Sequence, residues 1–196
     1  MIIWLNGPYG SGKTTCAYEL NRRLPNSHVY DPEISGFAIK RTTPKPLKHE
    51  SFQDFHQWRK FNYSMLSDLA KDFKGTIIVP MTIINSDYYD ELVKQLKDDG
   101  NKLRHLILFA DKDTVRKRYE KGVRRFDKEP MRRLDKCLKA FETVITQEKI
   151  DTVNKSIDEV VEEIAYICNL RLRPDSRSKV RKELYRAKLL ISQLFR

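Results

Sequence analysis

A glycine-rich loop near the amino terminus constrains this chain more than any other feature. Residues 7–14 read Gly-Pro-Tyr-Gly-Ser-Gly-Lys-Thr and fit the pattern G-x-x-x-x-G-K-[ST] at every fixed position. The apolar run Ile2–Leu5 comes before the loop, and apolar residues at helical spacing follow it as far as Pro25. A strand, this loop and a helix in succession are the context that the motif requires, so the sequence predicts a phosphate-binding loop (P-loop). The alternative is a glycine-rich turn of a Rossmann-like domain.

The residue types of the loop suit a nucleotide and its metal ion. Glycines allow backbone conformations in which successive N–H groups face a phosphate, and the following helix adds positive potential. We assign Lys13 to the β- and γ-phosphates of ATP and to catalysis, and the hydroxyl of Thr14 to Mg²⁺. The predicted nucleotide-binding residues are Gly7, Pro8, Tyr9, Gly10, Ser11, Gly12, Lys13, Thr14 and Thr15.

Length and patterning predict the fold class. The chain has 196 residues, enough for one domain with a substantial core. Strand and helix signals alternate from Ile2 to Cys168, which predicts a three-layer α/β/α fold with a five-stranded parallel sheet in the order 2-3-1-4-5. We place a kinase-like domain at residues 1–170 and a basic amphipathic helix at residues 171–196. Residues 34–50 contain Gly36 and two prolines without a clear period, so we interpret most of them as a loop.

Local signals predict the ends of several elements. We expect a helix from Ser51 and a short fifth strand or turn over residues 151–154. Asp111 is expected to cap the helix that follows it, and Ser156 with Glu159 is expected to form a capping box.

Cysteine use and hydropathy indicate the compartment. The three cysteines lie far apart, without metal or redox spacing, which is typical of reduced thiols. The P-loop strand leaves no room for a signal peptide, and no apolar run approaches a membrane span. We therefore expect a cytoplasmic protein.

Two carboxylates follow the second predicted strand, His28–Tyr30. Asp31 and Glu33 would lie at the carboxyl edge of the sheet, where open α/β sheets bind ligands. Either could take a proton from an attacking hydroxyl group or help to hold Mg²⁺. We select Asp31 as the first candidate for the catalytic base, with Glu33 as its partner. The alternative is a polar turn in which Asp31 caps a helix.

The positive charge of the chain is concentrated in two segments. Of the net charge of +11, residues 112–139 and residues 169–196 each carry +7, and the remainder is slightly acidic. The first segment includes a basic, glycine-containing break between two helices, which we interpret as a lid over about residues 116–136. Closed, it would bring arginines onto a transferring phosphate. The candidates are Arg118, for which we also predict a catalytic role, and Arg124, Arg125 and Arg132; the alternative is a solvated pair of helices.

The second basic segment contains a predicted amphipathic helix. Val180, Leu184, Ala187, Ile191 and Leu194 share one face of it. That face can pack on the domain, which is the default, or lie in the plane of an anionic bilayer as a weak peripheral anchor. No nucleic-acid recognition module accompanies the basic residues, so we do not expect a nucleic-acid partner.

Several stretches together resemble a known family. They are Ile2–Gly7 with the P-loop, Tyr30–Glu33 with Gly36–Ala38, Trp58–Arg59 with Phe61–Ser64, and Ile78–Ile83. Lys117–Arg118, Asp135 with Cys137, and Pro174–Asp175 extend the resemblance to the end of the chain. The set is similar to the small P-loop kinases and, more closely, to the bacterial ATP-binding tunicamycin-resistance proteins. The predicted lid matches least well.

The resemblance implies ATP binding and resistance to tunicamycin, a uracil-containing nucleoside antibiotic with a lipid tail. One hypothesis is a kinase that transfers the γ-phosphate to the antibiotic or to another nucleoside-like molecule. The other is ATP-dependent sequestration of the drug without chemistry. A GTP-dependent switch is disfavoured because the chain lacks an Asn-Lys-x-Asp motif. Within the matching stretches, the candidate substrate contacts are Asp31, Phe37, Trp58, Arg59, Asn62 and Thr82. Arg59 is as easily a solvated residue of a helix face.

Overall fold

The computed structural model describes residues 1–122 and 129–192 and contains a five-stranded parallel sheet. Its strands are β1 (Ile2–Asn6), β2 (Ser27–Val29), β3 (Thr76–Pro80), β4 (Leu103–Phe109) and β5 (Lys149–Asp151). They lie in the order β2-β3-β1-β4-β5, and each neighbouring pair is parallel. The predicted fold class and strand order are confirmed.

Helices cover both faces of the sheet. They are α1 (Lys13–Arg23), α2 (Pro32–Thr42), α3 (His56–Asp72), α4 (Ser86–Tyr89), α5 (Gln95–Asp98), α6 (Lys112–Glu120), α7 (Glu129–Arg132), α8 (Leu134–Thr143), α9 (Ile157–Ile167) and α10 (Lys179–Ser192). A π-helical segment, Asp90–Lys94, joins α4 to α5. The predicted caps are confirmed, because Asp111 accepts a hydrogen bond from the N–H of Thr114 and Ser156 forms a capping box with Glu159.

Alternating side chains of the central strand β1 form two separate cores. Ile3 and Leu5 pack with residues of α1 and α9 on one face of the sheet. Ile2 and Trp4 pack with residues of α3 and of the α4–α5 helix on the other. Because β1 is buried on both faces, it can be apolar at nearly every position, as the sequence shows.

The interpretation of residues 34–50 as mostly loop is wrong, because α2 occupies Pro32–Thr42. The side chain of Asp31 caps the helix by accepting a hydrogen bond from the N–H of Glu33, and Pro32 suits the first turn, where no N–H is needed. Gly36 lies inside α2 because the ring of Phe52 packs directly on it: a Cβ there would come within 2.5 Å of the ring. A contact with a distant aromatic residue thus explains the glycine.

Two element boundaries also differ from the sequence prediction. The fifth strand ends at Asp151, where we expected it to begin, and α3 begins at His56 rather than Ser51. Ser51 instead caps the 3₁₀ turn Phe52–Asp54. In both places a polar turn adjoins the element, and periodicity alone does not locate its end.

The carboxyl-terminal helix α10 attaches to the domain through the face that carries Arg186 and Leu189. Val180, Leu184 and Ile191 are 68%, 65% and 49% exposed, whereas Arg186 and Leu189 are buried. The expectation that the apolar face packs on the domain is therefore wrong for these residues; Leu194 lies outside the described residues. No described helix has the length and apolar character needed to cross a bilayer. The division at residue 170 stays a prediction.

Candidate active site

The P-loop lies between β1 and α1, and two of its glycines are required by geometry. Gly7 has a φ of +140°, and a Cβ there would lie 2.4 Å from the carbonyl oxygen of Leu108 on β4. Gly12, with a φ of +93°, immediately precedes the first turn of α1. Both positions need the left-handed backbone that glycine adopts without strain. The loop can therefore pass close over β4 and lead directly into the first turn of α1.

The segment after β3 is fastened to this loop. The Oδ1 atom of Asn6 accepts hydrogen bonds from the N–H groups of Gly7 (2.9 Å) and Ile83 (3.0 Å), and its Nδ2 donates to the carbonyl of Ile83. The indole N–H of Trp4 donates to the carbonyl of Met81, and the hydroxyl of Thr82 donates to the carbonyl of Gly7 (2.8 Å). These bonds explain residues 80–82, Pro-Met-Thr, as a segment that holds the P-loop in place. Sequence analysis missed Asn6, although a polar residue ending a buried strand is a signal that could have found it.

A cavity of about 220 Å³ lies at the loop. Its lining combines the P-loop with residues from α2, the segment after β3, α6 and α10. The lining residues are Tyr9, Gly10, Gly12, Lys13, Thr14, Thr15, Glu33, Thr82, Arg118, Tyr119, Gly122 and Leu190. Sequence analysis missed Tyr119 and Leu190. Tyr119 carried a weak signal, since it follows Arg118, whereas Leu190 carried none.

Lys13 contributes the positive charge at the loop. Its Nζ donates to the carbonyl oxygens of Gly7 and Pro8, at 3.0 Å in each case. Burial lowers the pKa of Lys13, and the neighbouring carboxylate of Glu33 opposes that shift. The ammonium group is thus held beside the loop by two carbonyls, within electrostatic reach of an acidic side chain.

The two predicted carboxylates lie in different surroundings. Glu33 lines the cavity with Lys13 and Thr14, whereas Asp31 is 9% exposed and caps α2. Asp31 instead lines a second cavity of about 690 Å³ with mainly apolar walls, among them Tyr30, Ile34 and Phe61. Asp31 therefore has the capping role that is the alternative to catalysis. The catalytic role of either carboxylate stays a prediction.

The arginines predicted for the lid are placed unequally. Arg118 lines the cavity, and its guanidinium donates to the hydroxyl (2.9 Å) and the carbonyl of Thr152 just after β5. Arg132 ends α7, is exposed and does not line the cavity. Arg124 and Arg125 lie outside the described residues. Of the lid arginines that lie within the described residues, Arg118 lines the P-loop cavity and Arg132 does not.

The predicted substrate contacts on α3 support the start of α2 instead of lining the P-loop cavity. The indole N–H of Trp58 donates to the carbonyl of Pro32 (2.9 Å), and the amide of Asn62 is bonded to Tyr30 and Ser35. Both side chains are fully buried. Through these bonds α3 fixes the turn that carries Asp31 and Glu33.

Arg59 and Phe37 are placed differently from the prediction. Arg59 is 8% exposed, forms an ion pair with Glu91 at 2.6 Å and lies over the ring of Tyr88, so it neither lines the cavity nor lies solvated on the helix face. Phe37 is half-buried and makes an edge contact with Phe52. Among the candidate substrate contacts, Thr82 alone lines the P-loop cavity.

The donor set at the loop fits a nucleotide phosphate and Mg²⁺. Three loop glycines, Gly7, Gly10 and Gly12, have positive φ, and the buried hydroxyl of Ser11 has no hydrogen-bond partner in the described part of the chain. Within residues 1–122 and 129–192 no group of three or more His, Cys, Asp or Glu side chains could hold a metal ion. Thr14 lines the cavity, and a nucleotide-bound Mg²⁺ takes most of its ligands from phosphates and water. Thr14, with Glu33 in reach of the cavity, could complete such a site.

The parallel sheet, the P-loop and the cavity at its edge define a nucleotide-binding, kinase-like P-loop protein. The AAA domain family matches residues 2–144, and the chain belongs to this family. The structure is also similar to that of the Deinococcus radiodurans tunicamycin resistance protein, with a TM-score of 0.74 and 31% identity over 89% of this chain and 98% of that one. The resemblance to the tunicamycin-resistance proteins is thereby confirmed.

Two further solved structures share the fold. A sugar kinase from Janibacter sp. is 17% identical with a TM-score of 0.61, and covers 86% of this chain and 94% of its own. Shikimate kinase from Bacteroides thetaiotaomicron is 18% identical with a TM-score of 0.59, at 87% and 99% coverage. A search of curated proteins found no match. At these identities the two kinases support the fold alone.

Proposed function

We propose that this protein is an ATP-dependent phosphotransferase that phosphorylates a hydroxyl group of a small molecule, with tunicamycin or a related nucleoside as the acceptor. One observation carries the proposal. The carboxylate of Glu33 lines the same cavity as Lys13 and Thr14 of the P-loop, and it lies near enough to Lys13 to affect its pKa. A proton acceptor and a phosphate-binding loop in one cavity are what a kinase requires.

The residues suggest a division of labour. The loop N–H groups and Lys13 would hold the β- and γ-phosphates, and Mg²⁺ held near Thr14 would offset their charge. The acceptor oxygen would bond to the γ-phosphorus as the bond from that phosphorus to the β–γ bridging oxygen breaks, and ADP would leave. Glu33 would take the proton of the acceptor hydroxyl and pass it to solvent. Arg118, fixed by Thr152, would stabilise charge on the transferring group.

The second cavity supports an acceptor with an apolar part. Its walls include Asp31 and Ile34, which flank Pro32 and Glu33 in the sequence, and it adds Ala38 and Phe61. An acceptor hydroxyl near Glu33 would therefore have apolar surface beside it. This arrangement agrees with tunicamycin, the antibiotic in the name of the similar Deinococcus radiodurans protein, because that nucleoside carries a lipid tail.

The test is mass spectrometry of tunicamycin after incubation with the protein, ATP and Mg²⁺. The expected result is a mass gain of one phosphoryl group with wild-type protein and none with Lys13→Ala, since alanine cannot meet the phosphate charge. Melting temperatures of the two proteins establish that both are folded. Binding of tunicamycin that requires ATP but leaves its mass unchanged would overturn transfer and favour the second candidate, sequestration.

The exposed side of α10 supports a further role, weak attachment to an anionic membrane surface. Val180, Leu184 and Ile191 face solvent there. Lys179, Arg181 and Lys188 on the same helix are also exposed. An apolar stripe flanked by cations is typical of helices that lie in a bilayer interface.

A further inference from the structure

A cluster of buried charges fixes the position of α10. Glu19 on α1 is 1% exposed and forms ion pairs with Arg22, Arg177 and Arg186. Arg186 also contacts Asp158 on α9 at 2.7 Å. Since an uncompensated charge at such a site is costly, Glu19 holds the arginines of the carboxyl-terminal segment against the helix that begins at Lys13.

A second carboxylate, Asp175, strengthens this attachment. It contacts Arg22 at 2.6 Å and Arg177 at 2.9 Å, and hydrogen bonds from Arg177 hold its pKa well below the ordinary value. The carboxyl-terminal segment is therefore tied to α1 just before α10 begins as well as within α10. Its direction along the domain is set by charge pairs.

That direction brings one residue of α10 to the P-loop cavity. Leu190 is 36% exposed and lines the cavity together with Tyr9 of the loop and with Arg118 and Tyr119 of α6. Its neighbour Leu189 is buried against the domain. An apolar side chain from the end of the chain thus forms part of a wall whose other members are polar or aromatic.

The lining of the cavity divides into three groups by chemistry. The loop residues from Gly10 to Thr15 offer N–H groups, a hydroxyl and the ammonium group, which suit phosphate. Glu33 and Thr82 follow strands β2 and β3, and they lie on the side of the cavity that we assign to the proposed acceptor. The third group, Tyr9, Tyr119 and Leu190, has aromatic and apolar surfaces, whereas Arg118 is left to the transferring phosphate. Such surfaces suit a base and sugar.

We propose that Leu190 contacts the nucleoside part of the bound nucleotide, so that α10 forms one wall of the nucleotide site. This inference rests on the nucleotide binding in the proposed function but not on phosphate transfer. Removal of the Leu190 side chain should weaken binding of a nucleotide and leave binding of a bare phosphate chain unchanged.

The test compares ATP with inorganic tripolyphosphate, both with Mg²⁺, by titration calorimetry on the full chain. Leu190→Ala is expected to weaken ATP binding about 3- to 10-fold, the loss that a partly buried leucine side chain explains, without changing tripolyphosphate binding. Leu184→Ala, at a 65% exposed position of the same helix, is the matched control and should change neither. Leu190→Met, which keeps volume and apolar character, should stay within about 2-fold of wild type.

Three results would overturn the inference. They are unchanged ATP affinity in Leu190→Ala, equal losses for both ligands, and equal affinity of the wild type for ATP and tripolyphosphate. Melting temperatures identify a variant that loses binding by unfolding, and Leu190→Met then decides the outcome. The two proposals can fail separately. If the wild-type protein transfers no phosphate while Leu190→Ala still weakens ATP binding alone, the proposed reaction is contradicted and the Leu190 contact is supported.

Discussion

At the scale of single residues, the two carboxylates after β2 have separate surroundings. Asp31 and Glu33 are two positions apart, and residue type alone does not distinguish them. The first turn of α2 separates them, because the capping residue must turn its side chain back to the N–H groups of the helix. Glu33, one residue into the helix from Pro32, lines the P-loop cavity. The geometry therefore favours Glu33 over Asp31 as the proton acceptor.

Glu33→Gln should lower kcat for phosphate transfer at least 100-fold with little change in ATP affinity, since general bases contribute about 10²- to 10⁴-fold. Asp31→Asn is the matched control. Asparagine caps a helix about as well as aspartate, so this variant should keep kcat within a few fold. Single-turnover kinetics and ATP titrations measure both quantities. A 100-fold loss in Asp31→Asn alongside an active Glu33→Gln would return the base role to Asp31.

At the scale of elements, the sheet could be predicted, whereas helix α2 and the orientation of helix α10 could not. A strand that is buried on both faces, such as β1, appears in the sequence as a continuous apolar run. The P-loop that follows identifies this strand as β1, which lies at the centre of the sheet. Helix α2 was missed because Gly36 faces the ring of Phe52, a contact distant in sequence. The orientation of α10 was wrong because periodicity shows that a helix has an apolar face but not which face is covered. Here the ion pairs of Glu19 with Arg177 and Arg186 determine which face is covered, and both arginines are distant from Glu19 in the sequence.

The same reasons explain what could be predicted of the site. The P-loop residues and Arg118 were found from local motifs, whereas Leu190 lies far along the chain and has no motif. Arg59 was misjudged because its partner Glu91 lies on a different helical segment. Residues that line the cavity and belong to a local pattern could be identified from the sequence, whereas Leu190, which tertiary ion pairs of its helix bring there, could not.

The attachment of α10 gives a prediction at this scale. Glu19→Gln should lower the free energy of unfolding by about 3 kcal/mol, because it removes the buried carboxylate that Arg22, Arg177 and the buried Arg186 share. Glu183→Gln is the control, since Glu183 also pairs with Arg186 but its side chain is 65% exposed, and it should change stability by less than about 0.5 kcal/mol. Urea denaturation and limited trypsin digestion of the tail measure the two variants. Equal stability of both would show that the buried cluster does not hold α10.

At the scale of the whole molecule, opposite sides of α10 have different surroundings. Its inner side carries Arg186, which pairs with the domain, and Leu190, which reaches the P-loop cavity. Its outer side presents Val180, Leu184 and Ile191 to solvent. Because one short helix carries both sides, a surface bound to the outer side would lie close to the nucleotide cavity. An acceptor with a lipid tail would be concentrated at such a surface.

The energetics favour a weak and salt-sensitive contact. Lys179, Arg181 and Lys188 are exposed beside the stripe, while Lys182 and Arg186 are already paired with acidic residues. Each exposed cation near an anionic bilayer contributes about 1 kcal/mol, and the stripe adds the gain from burying apolar area. Screening shortens the reach of these charges to about 10 Å at 0.1 M salt. The sum is modest, so the attachment should be reversible.

Co-sedimentation with vesicles of phosphatidylserine and phosphatidylcholine tests this arrangement with the full chain. Wild-type protein is expected to pellet at low salt and to be released as salt rises, because the cations contribute much of the binding energy. Replacing the two most exposed stripe residues, in the double variant Val180→Asp and Leu184→Asp, should abolish pelleting, since a carboxylate is repelled by the surface and cannot enter it. The control is the double variant Tyr166→Asp and Val144→Asp, at positions that are 85% and 49% exposed, which introduces the same charge away from the stripe and should leave pelleting unchanged. All three proteins keep the charge cluster at Glu19, so α10 remains attached while its outer side changes. Equal pelleting of the stripe variant and the control, or none by wild type at low salt, would exclude the membrane as the partner of this face.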